Sequence, residues 1–388
     1  MLRQQVSVNT TRKAVVGLAE LCEILARPLS TYDDPANPPN LERVFQHPSV
    51  DLSHALAEQG RVSRASQGQV QSLLSHDQFL RWLSHPHPSL ILVDANVRES
   101  SLDRLSAISV LSGTLATSLM KSSPDEDTAV IHFFCGLHAS PRDALYGPAG
   151  LVRSLILQLL MKLDDADPDM SRWNLDFVND RAFLQGLEEH ALPDLCSALH
   201  ELLFQFRPGT LIYCIIDSIS CFDVGRLRRD LGIVMEGLRV IVNDARLVPV
   251  FKVLVTNPAS STRAILNMTL FREDPGRLIS LSRQDRVPGR LSARVVDDHL
   301  LRAPSPRLAR TPSPFRRSME PPPRDGCMLR APSPSPMRSR TPSPFPRSME
   351  PANVPVLMTD ELFESNDGEG SDGAYWDGGD VQPRWSHC

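Results

Sequence analysis

Nowhere does the chain hold the roughly 18 to 20 consecutive apolar residues that a membrane-crossing helix needs. Its opening, "MLRQQVSVNTTRK", has no apolar core of the kind a secretory leader carries. None of the seven cysteines (Cys22, Cys135, Cys196, Cys214, Cys221, Cys327 and Cys388) sits in a CxxC pair, and several fall inside apolar runs. That pattern suits free thiols in a reducing compartment and not a disulfide framework. The expectation is a soluble intracellular protein, cytoplasmic or nuclear, with no membrane partner. Lysine is scarce: Lys13, Lys121, Lys162 and Lys252 are all there are. There is no G-x-S-x-G elbow and no H-E-x-x-H helix, so two common hydrolase signatures are missing. The formal net charge of −5 gives no reason to expect a nucleic-acid partner.

What is present divides into three regions. Hydrophobic residues make up 41% of the 388 positions, enough for two or three domains, but they concentrate before residue 286. Val15, Leu18, Leu21, Cys22 and Leu25 recur at helical spacing within residues 11–27. The proline-rich "PLSTYDDPANPPN" then breaks the pattern. A weaker helical pattern covers roughly residues 40 to 83. Residues 1–84 therefore read as a small helical region.

Residues 85–285 read differently. "SLILVDA" (89–95), "AVIHFFC" (129–135), "TLIYCIID" (210–217) and "VFKVLVT" (250–256) are short continuous apolar runs, as strands buried on both faces should be. "RLISLS" (277–282) is a plausible fifth. Between them lie helical patterns. Leu102, Leu105, Ile108, Leu111, Leu115 and Leu119 form one. A second, opening at Pro148, places Leu151, Leu155, Ile156, Leu159, Leu160 and Leu163 on one face. Residues 192–206 and 225–243 carry two more. Strands alternating with helices predict an α/β fold, a mostly parallel five-stranded sheet between two helical layers. Ligands of such sheets sit at the carboxyl ends of the strands.

From residue 286 the chain turns rich in proline, serine and arginine, and it repeats itself. "LRAPSPRLARTPSPFRRSMEP" (301–321) recurs as "LRAPSPSPMRSRTPSPFPRSMEP" (329–351). Such a composition cannot bury a core, so residues 286–388 are expected to be a disordered tail. Residues 300 to 350 carry ten arginines and three acids, a net of +7, and residues 359 to 388 carry eight acids and one arginine, a net of −7. Ser-Pro or Thr-Pro pairs fall at Ser305, Thr311, Ser313, Ser333, Ser335, Thr341 and Ser343. Proline-directed kinases read such sites in extended chains, and SH3- or WW-type modules read the prolines. Each phosphate would add about −1.5 to −2 charges, so a few would cancel the basic block.

The stretch "TLIYCIIDSISCFD" delivers Asp217 to the end of a strand, as the magnesium-holding strand of a P-loop NTPase does. The phosphate loop that should accompany it, G-x-x-x-x-G-K-[ST], wraps phosphate with backbone N–H groups and reaches it with lysine. The matching connection, "VDANVRESSLDRLSAISVL" (93–111), has neither glycine nor lysine. The N-terminus of the following helix, near Ser100 and Ser101, is the remaining candidate for holding an anion. Ser100 with Asp103 reads better as a helix cap.

Four pieces, "HFFCGLH" (132–138), "GPAGLVRSLILQLL" (147–160), "RPGTLIYCIIDSISCFD" (207–223) and "VFKVLVTNP" (250–258), resemble fungal proteins with a NACHT-like or STAND-type P-loop NTPase domain. The resemblance spans roughly residues 80 to 285 and implies a P-loop NTPase-like three-layer sandwich. It makes Asp217 the acid that holds Mg²⁺. In that family glycine, an apolar residue, aspartate and glutamate usually follow this acid. Here Ser218, Ile219, Ser220 and Cys221 follow. Asn257 and Pro258 stand where an arginine often stands, leaving Asp223 and Arg263 as substitutes for the missing chemistry. Phosphoryl transfer depends almost wholly on placed charge. The expectation is a non-catalytic pseudo-NTPase, a scaffold or signalling adaptor without cofactor. The alternatives are an active ATPase or GTPase using Mg-ATP or Mg-GTP, and a purely structural interaction module. Partners are expected to be proteins.

His132, Cys135 and His138 raise the question of a metal. His132 and Cys135 lie at an odd offset on one strand and face opposite sides, so no metal site is expected. Cys214 reads as core, and Cys221 has no base in a recognisable motif beside it.

Overall fold

The structure, a computed structural model, describes residues 13–27, 41–97, 104–122, 128–282, 284 and 286–302. Five strands form one sheet: β1 (Ser89–Asp94), β2 (Thr128–Phe134), β3 (Leu211–Asp217), β4 (Val250–Asn257) and β5 (Leu278–Ser280). Their order is β2-β3-β4-β1-β5 and every neighbouring pair is parallel. Every residue of the inner strands β3 and β4 is buried, which explains why their sequences show unbroken apolar runs instead of alternation. The expected fifth strand is real but keeps only three residues.

Alternate strand residues feed two separate cores. Leu90, Leu92, Ile131, Phe133, Ile212, Cys214, Val253 and Val255 face one side. There they meet α6 (Gly147–Ala166), α8 (Leu192–Leu203) and α9 (Leu227–Asn243), with α1 (Leu18–Ala26) and α7 (Arg181–Glu188) packed behind them. Ile91, Val93, Val130, Tyr213, Ile215 and Leu254 face the other side. They meet α5 (Ala107–Ser122), α3 (Arg64–Gln71), α4 (Asp77–Ser84) and α12 (Ala293–Arg302). This is the three-layer α/β arrangement that the alternation of strand and helix patterns implies.

Helix α6 is buried nearly all round, not on one face. Two of its buried polar residues, Arg153 and Gln158, each replace a missing backbone partner. Arg153 donates from Nε to the Leu25 carbonyl (2.6 Å) and from a terminal nitrogen to the Arg27 carbonyl (3.0 Å), closing the unpaired end of α1. Gln158 accepts from the His132 N–H (3.0 Å) and donates to the His132 carbonyl (2.9 Å). It stands in for a further strand beside the edge strand β2.

The helical region before β1 belongs to the same core. Helix α2 (Leu41–Ala57) packs against α5, α6 and β2, and the Gln69 amide of α3 donates to the Ala95 carbonyl (2.7 Å). The chain after β5 returns over α3. Val287 donates to the Gly68 carbonyl (3.1 Å), and a Cβ at position 68 would lie 2.4 Å from the Val287 oxygen, so only glycine admits this crossing. Helix α12 then packs on α5. The disordered reading of the chain from residue 286 therefore fails for 286–302. Val296 and Leu291, both fully buried, show why: two apolar anchors inside a polar stretch suffice once α3 and α5 offer a surface. The seven Ser-Pro and Thr-Pro sites, Ser305 to Ser343, lie outside the described residues. Among the described residues, no helix is long and apolar enough to cross a membrane.

The direction of winding places the crevice. From β1 the chain passes to α5 on one face. From β4 it passes to α10 (Arg263–Leu266) and α11 (Thr269–Glu273), whose Ile265, Leu270 and Phe271 join the opposite core. Adjacent strands that send their chains to opposite faces open a crevice at their carboxyl ends. Asp94 and Asn257 terminate those two strands, and Asp217 terminates the next.

Candidate functional site

Three acids gather at these strand ends, and each is already engaged. Asp217 is fully buried. Its carboxylate accepts from Ser109 Oγ (2.6 Å), Thr256 Oγ1 (2.7 Å), Ser218 Oγ (2.8 Å) and Ser112 Oγ (3.3 Å). Ser109 and Ser112 come from one face of the first turns of α5, at the i, i+3 spacing that aims two side chains at one target. Burial pushes the Asp217 carboxyl above the usual carboxylate range, and the four hydroxyls oppose that rise.

Asp94 is closed in the same way. Its carboxylate accepts from the Ser261 N–H (2.8 Å), Ser261 Oγ (2.6 Å) and Asn257 Nδ2 (3.2 Å). Asn257, fully buried, ties this network to the turn after β3, because its Oδ1 also accepts from the Ser220 N–H (2.9 Å). Asp223 holds Arg228 Nε at 2.7 Å and accepts from the Thr262 hydroxyl, tying the turn after β3 to α9 and α10. Arg263, the other substitute for chemistry, is exposed at the first position of α10.

The lysines are elsewhere. Lys252 is buried in the amino half of β4, donating to Ser89 Oγ at the start of β1 (3.1 Å). Burial lowers its pKa to about 8. Lys121 stands in the last turn of α5, a helix of 16 residues and so about 24 Å from end to end. Lys162 lines a cavity of about 380 Å³ with Thr128, Trp173 and Arg207, at the amino ends of β2 and β3. That is the opposite end of the sheet from the acids. Cys221 lies near Asp217, and burial, with that acid's charge, pushes its thiol up to about 11, which keeps it protonated and un-nucleophilic.

Comparison with protein-family models, with curated proteins and with solved structures finds no match for the chain. The site is therefore read from its own chemistry.

Of the residues the sequence singled out, Asp217 and Asp223 fall near the crevice and Arg263 on its outer side. Ser100 and Ser101 lie outside the described residues. The helix they were expected to cap begins at Ala107, five residues later than Leu102, where the apolar spacing starts. The residues that decide the state of Asp217 are Ser109, Ser112 and Thr256. Their signal was the pair of serines three apart, facing a strand that ends in an acid.

A second buried cluster was split apart in the sequence. His138, in the turn after β2, receives carboxylates at both ring nitrogens: Asp143 Oδ1 at Nδ1 and Asp51 Oδ2 at Nε2, each 2.8 Å away. Asp51 is one helical turn from His47 on α2, whose Nδ1 lies 4.0 Å from Asp51 Oδ1. Burial alone would lower the pKa of His138, but hydrogen bonds and charge from Asp143 and Asp51 raise it to about 9. His132 and Cys135 take no part. His132 Nε2 pairs with the Pro48 carbonyl (2.9 Å), and Cys135 is buried in the core on the α6 side.

Proposed function

We propose that this chain is a P-loop NTPase-like domain that has lost nucleotide chemistry and serves as a scaffold or signalling adaptor. The observation that carries the reading is the pair of Ser109 and Asp217. In a P-loop NTPase the hydroxyl that ends the phosphate loop and the acid at the end of the partner strand hold Mg²⁺ between them. Here Ser109 Oγ donates directly to Asp217 Oδ2 at 2.6 Å. Laying the template G-x-x-x-x-G-K-[ST] so that its last position falls on Ser109 puts Leu102 and Ala107 at the glycines and Ile108 at the lysine. Ile108 is fully buried in the apolar core that also holds Ile91 and Val93. A lysine there would have to leave that core to reach a phosphate.

Backbone conformation supports the same alignment. Ser218, where the NACHT-like pattern has glycine, adopts a left-handed conformation with φ 58° and ψ 44°. That region costs a non-glycine residue energy and suits the glycine of the pattern. The connection before α5 is pressed down as well: a Cβ on Gly136 would lie 1.9 Å from the Arg104 oxygen. The Asp217 carboxylate that would hold Mg²⁺ is instead engaged by the hydroxyls of Ser109, Ser112, Ser218 and Thr256.

With no chemistry at the crevice, the remaining means of signalling are the surface and the segment after residue 302. Its charge pattern and seven Ser-Pro and Thr-Pro sites suit a substrate of proline-directed kinases. Two measurements test the proposal. A thermal-shift scan with Mg-ATP and Mg-GTP leaves the melting temperature unchanged. Treatment with a proline-directed kinase, followed by mass spectrometry, places phosphate between residues 305 and 343. A nucleotide-dependent rise in melting temperature would instead favour the active enzyme, and a kinase-inert tail would favour the purely structural module.

A further inference from the structure

We propose that His47, Asp51 and His138 form a binding site for a divalent metal ion of the zinc class, clipping α2 to the end of β2. The ligand atoms all lie within 4.8 Å of one another. Tetrahedral zinc with bonds of about 2.0–2.1 Å places neighbouring ligand atoms about 3.3 Å apart. The observed separations, 2.8 Å between His138 and Asp51 and 4.0 Å between His47 and Asp51, bracket that distance. The two imidazoles approach different oxygens of the Asp51 carboxylate, Oδ2 for His138 and Oδ1 for His47, so the carboxylate lies between them.

The donor set selects the ion. Two imidazoles and one carboxylate suit zinc and its neighbours, whereas magnesium and calcium prefer oxygen throughout. The support around the site is of the kind that orients a metal-binding histidine. His138 donates from Nδ1 to Asp143, which is itself fixed by the Leu145 N–H at 2.8 Å. The Phe133 ring stacks on His138, with centroids 4.6 Å apart. Those two contacts set the tautomer and the plane of the ring, leaving Nε2 to face Asp51 and the metal. His47 and Asp51 sit four residues apart on α2, so one helix face supplies two ligands. His138 and Asp51 are nearly inaccessible, but the His47 side chain keeps 22% of its surface exposed, which gives an ion a way in and leaves a fourth position to water.

One other arrangement uses the same atoms: a proton shared between His138 and Asp51, with no metal. The experiment separates the two. The full chain is stripped with a chelator, dialysed, and titrated with Zn²⁺ in competition with a chromogenic indicator. A parallel titration with Co²⁺ follows the visible bands of a four-coordinate site. The expected result is one equivalent bound, with Co²⁺ bands displaced by Zn²⁺. His47→Ala lowers the affinity at least a hundredfold while leaving the metal-free melting temperature close to wild type, because His47 approaches Asp51 no nearer than 4.0 Å. Asp51→Asn, which keeps an oxygen toward His138, weakens binding independently. Uptake below one equivalent by the wild type, or an affinity that neither variant changes, overturns the proposal and leaves the shared proton as the account of the cluster.

Discussion

At the carboxyl ends of β1 and β3, Asp94 and Asp217 are surrounded by serine, threonine and asparagine side chains. Around the turn after β2, Asp51 on α2 faces the imidazoles of His138 and His47, and Asp143 pairs with His138 and the Leu145 N–H. Both regions bury carboxylates, but they stabilise them differently. A hydroxyl donates its proton to the acid and occupies the place where a cation would sit. An imidazole can release its proton and offer a lone pair to the same cation. Burial of an acid at the expected end of a parallel sheet is therefore weak evidence for an ion site, and the identity of its neighbours decides the matter. On the two proposals made above, the strand-end acids would exclude a cation, whereas His47, Asp51 and His138 would hold one.

Substitutions can break this contrast, the largest effect being expected at Asp217. Asp217→Ala strips four buried hydroxyls of their acceptor and should cost about 3 kcal/mol by denaturant titration, since each orphaned polar group costs about 1–3 kcal/mol and the network relaxes in part. If stability were unaffected, Asp217 would be free for an ion after all.

The next effect concerns the histidines. His190 is buried, with its Nε2 against the Ile24 carbonyl (3.2 Å). Burial and the nearby Arg153 charge lower its pKa to about 4, against a slight rise from its bond to the Ile24 carbonyl. The unfolded chain binds a proton there near pH 6.5 and the folded chain does not. Stability contributed by the neutral ring is complete above pH 6.5 and is lost as the pH falls toward 4. His190→Gln should flatten that part of the stability profile.

Smaller changes sharpen the picture. Ser109→Ala removes one of four donors to Asp217 and should cost about 1 kcal/mol. Lys252→Met replaces a buried amine that has Ser89 Oγ as its partner and should be neutral or stabilising by up to about 1 kcal/mol. Wild-type stability should rise with pH between about 8 and 10.5, because the folded chain gives up the Lys252 proton first. The methionine variant should lose that rise.

Much of the fold was legible because strands buried on both faces leave continuous apolar runs, and Asp217 was legible because such a run ends on it. The start of α5 was not. Leu102 and Leu105 continue the helical spacing of Ile108 and Leu111, yet helix begins only at Ala107, since periodicity records which residues are apolar and not where hydrogen bonding starts. The end of the fold was missed for a related reason: Leu291 and Val296 are too few to mark a helix until α3 and α5 are in place. The metal-like cluster was hidden by distance along the chain. Asp51 and His138 are 87 residues apart, and His138 had been weighed with its sequence neighbours His132 and Cys135, from which the strand turns it away.

The central claim is that hydroxyls take the cation's place on Asp217 and that Ile108, turned into the apolar core, leaves no lysine to hold a nucleotide's phosphates. Calorimetric titration of the full chain with Mg-ATP, and then with Mg-GTP, tests it most directly. The account predicts no saturable heat with either nucleotide at millimolar concentration. A saturable, one-to-one isotherm that Asp217→Asn abolishes would contradict it.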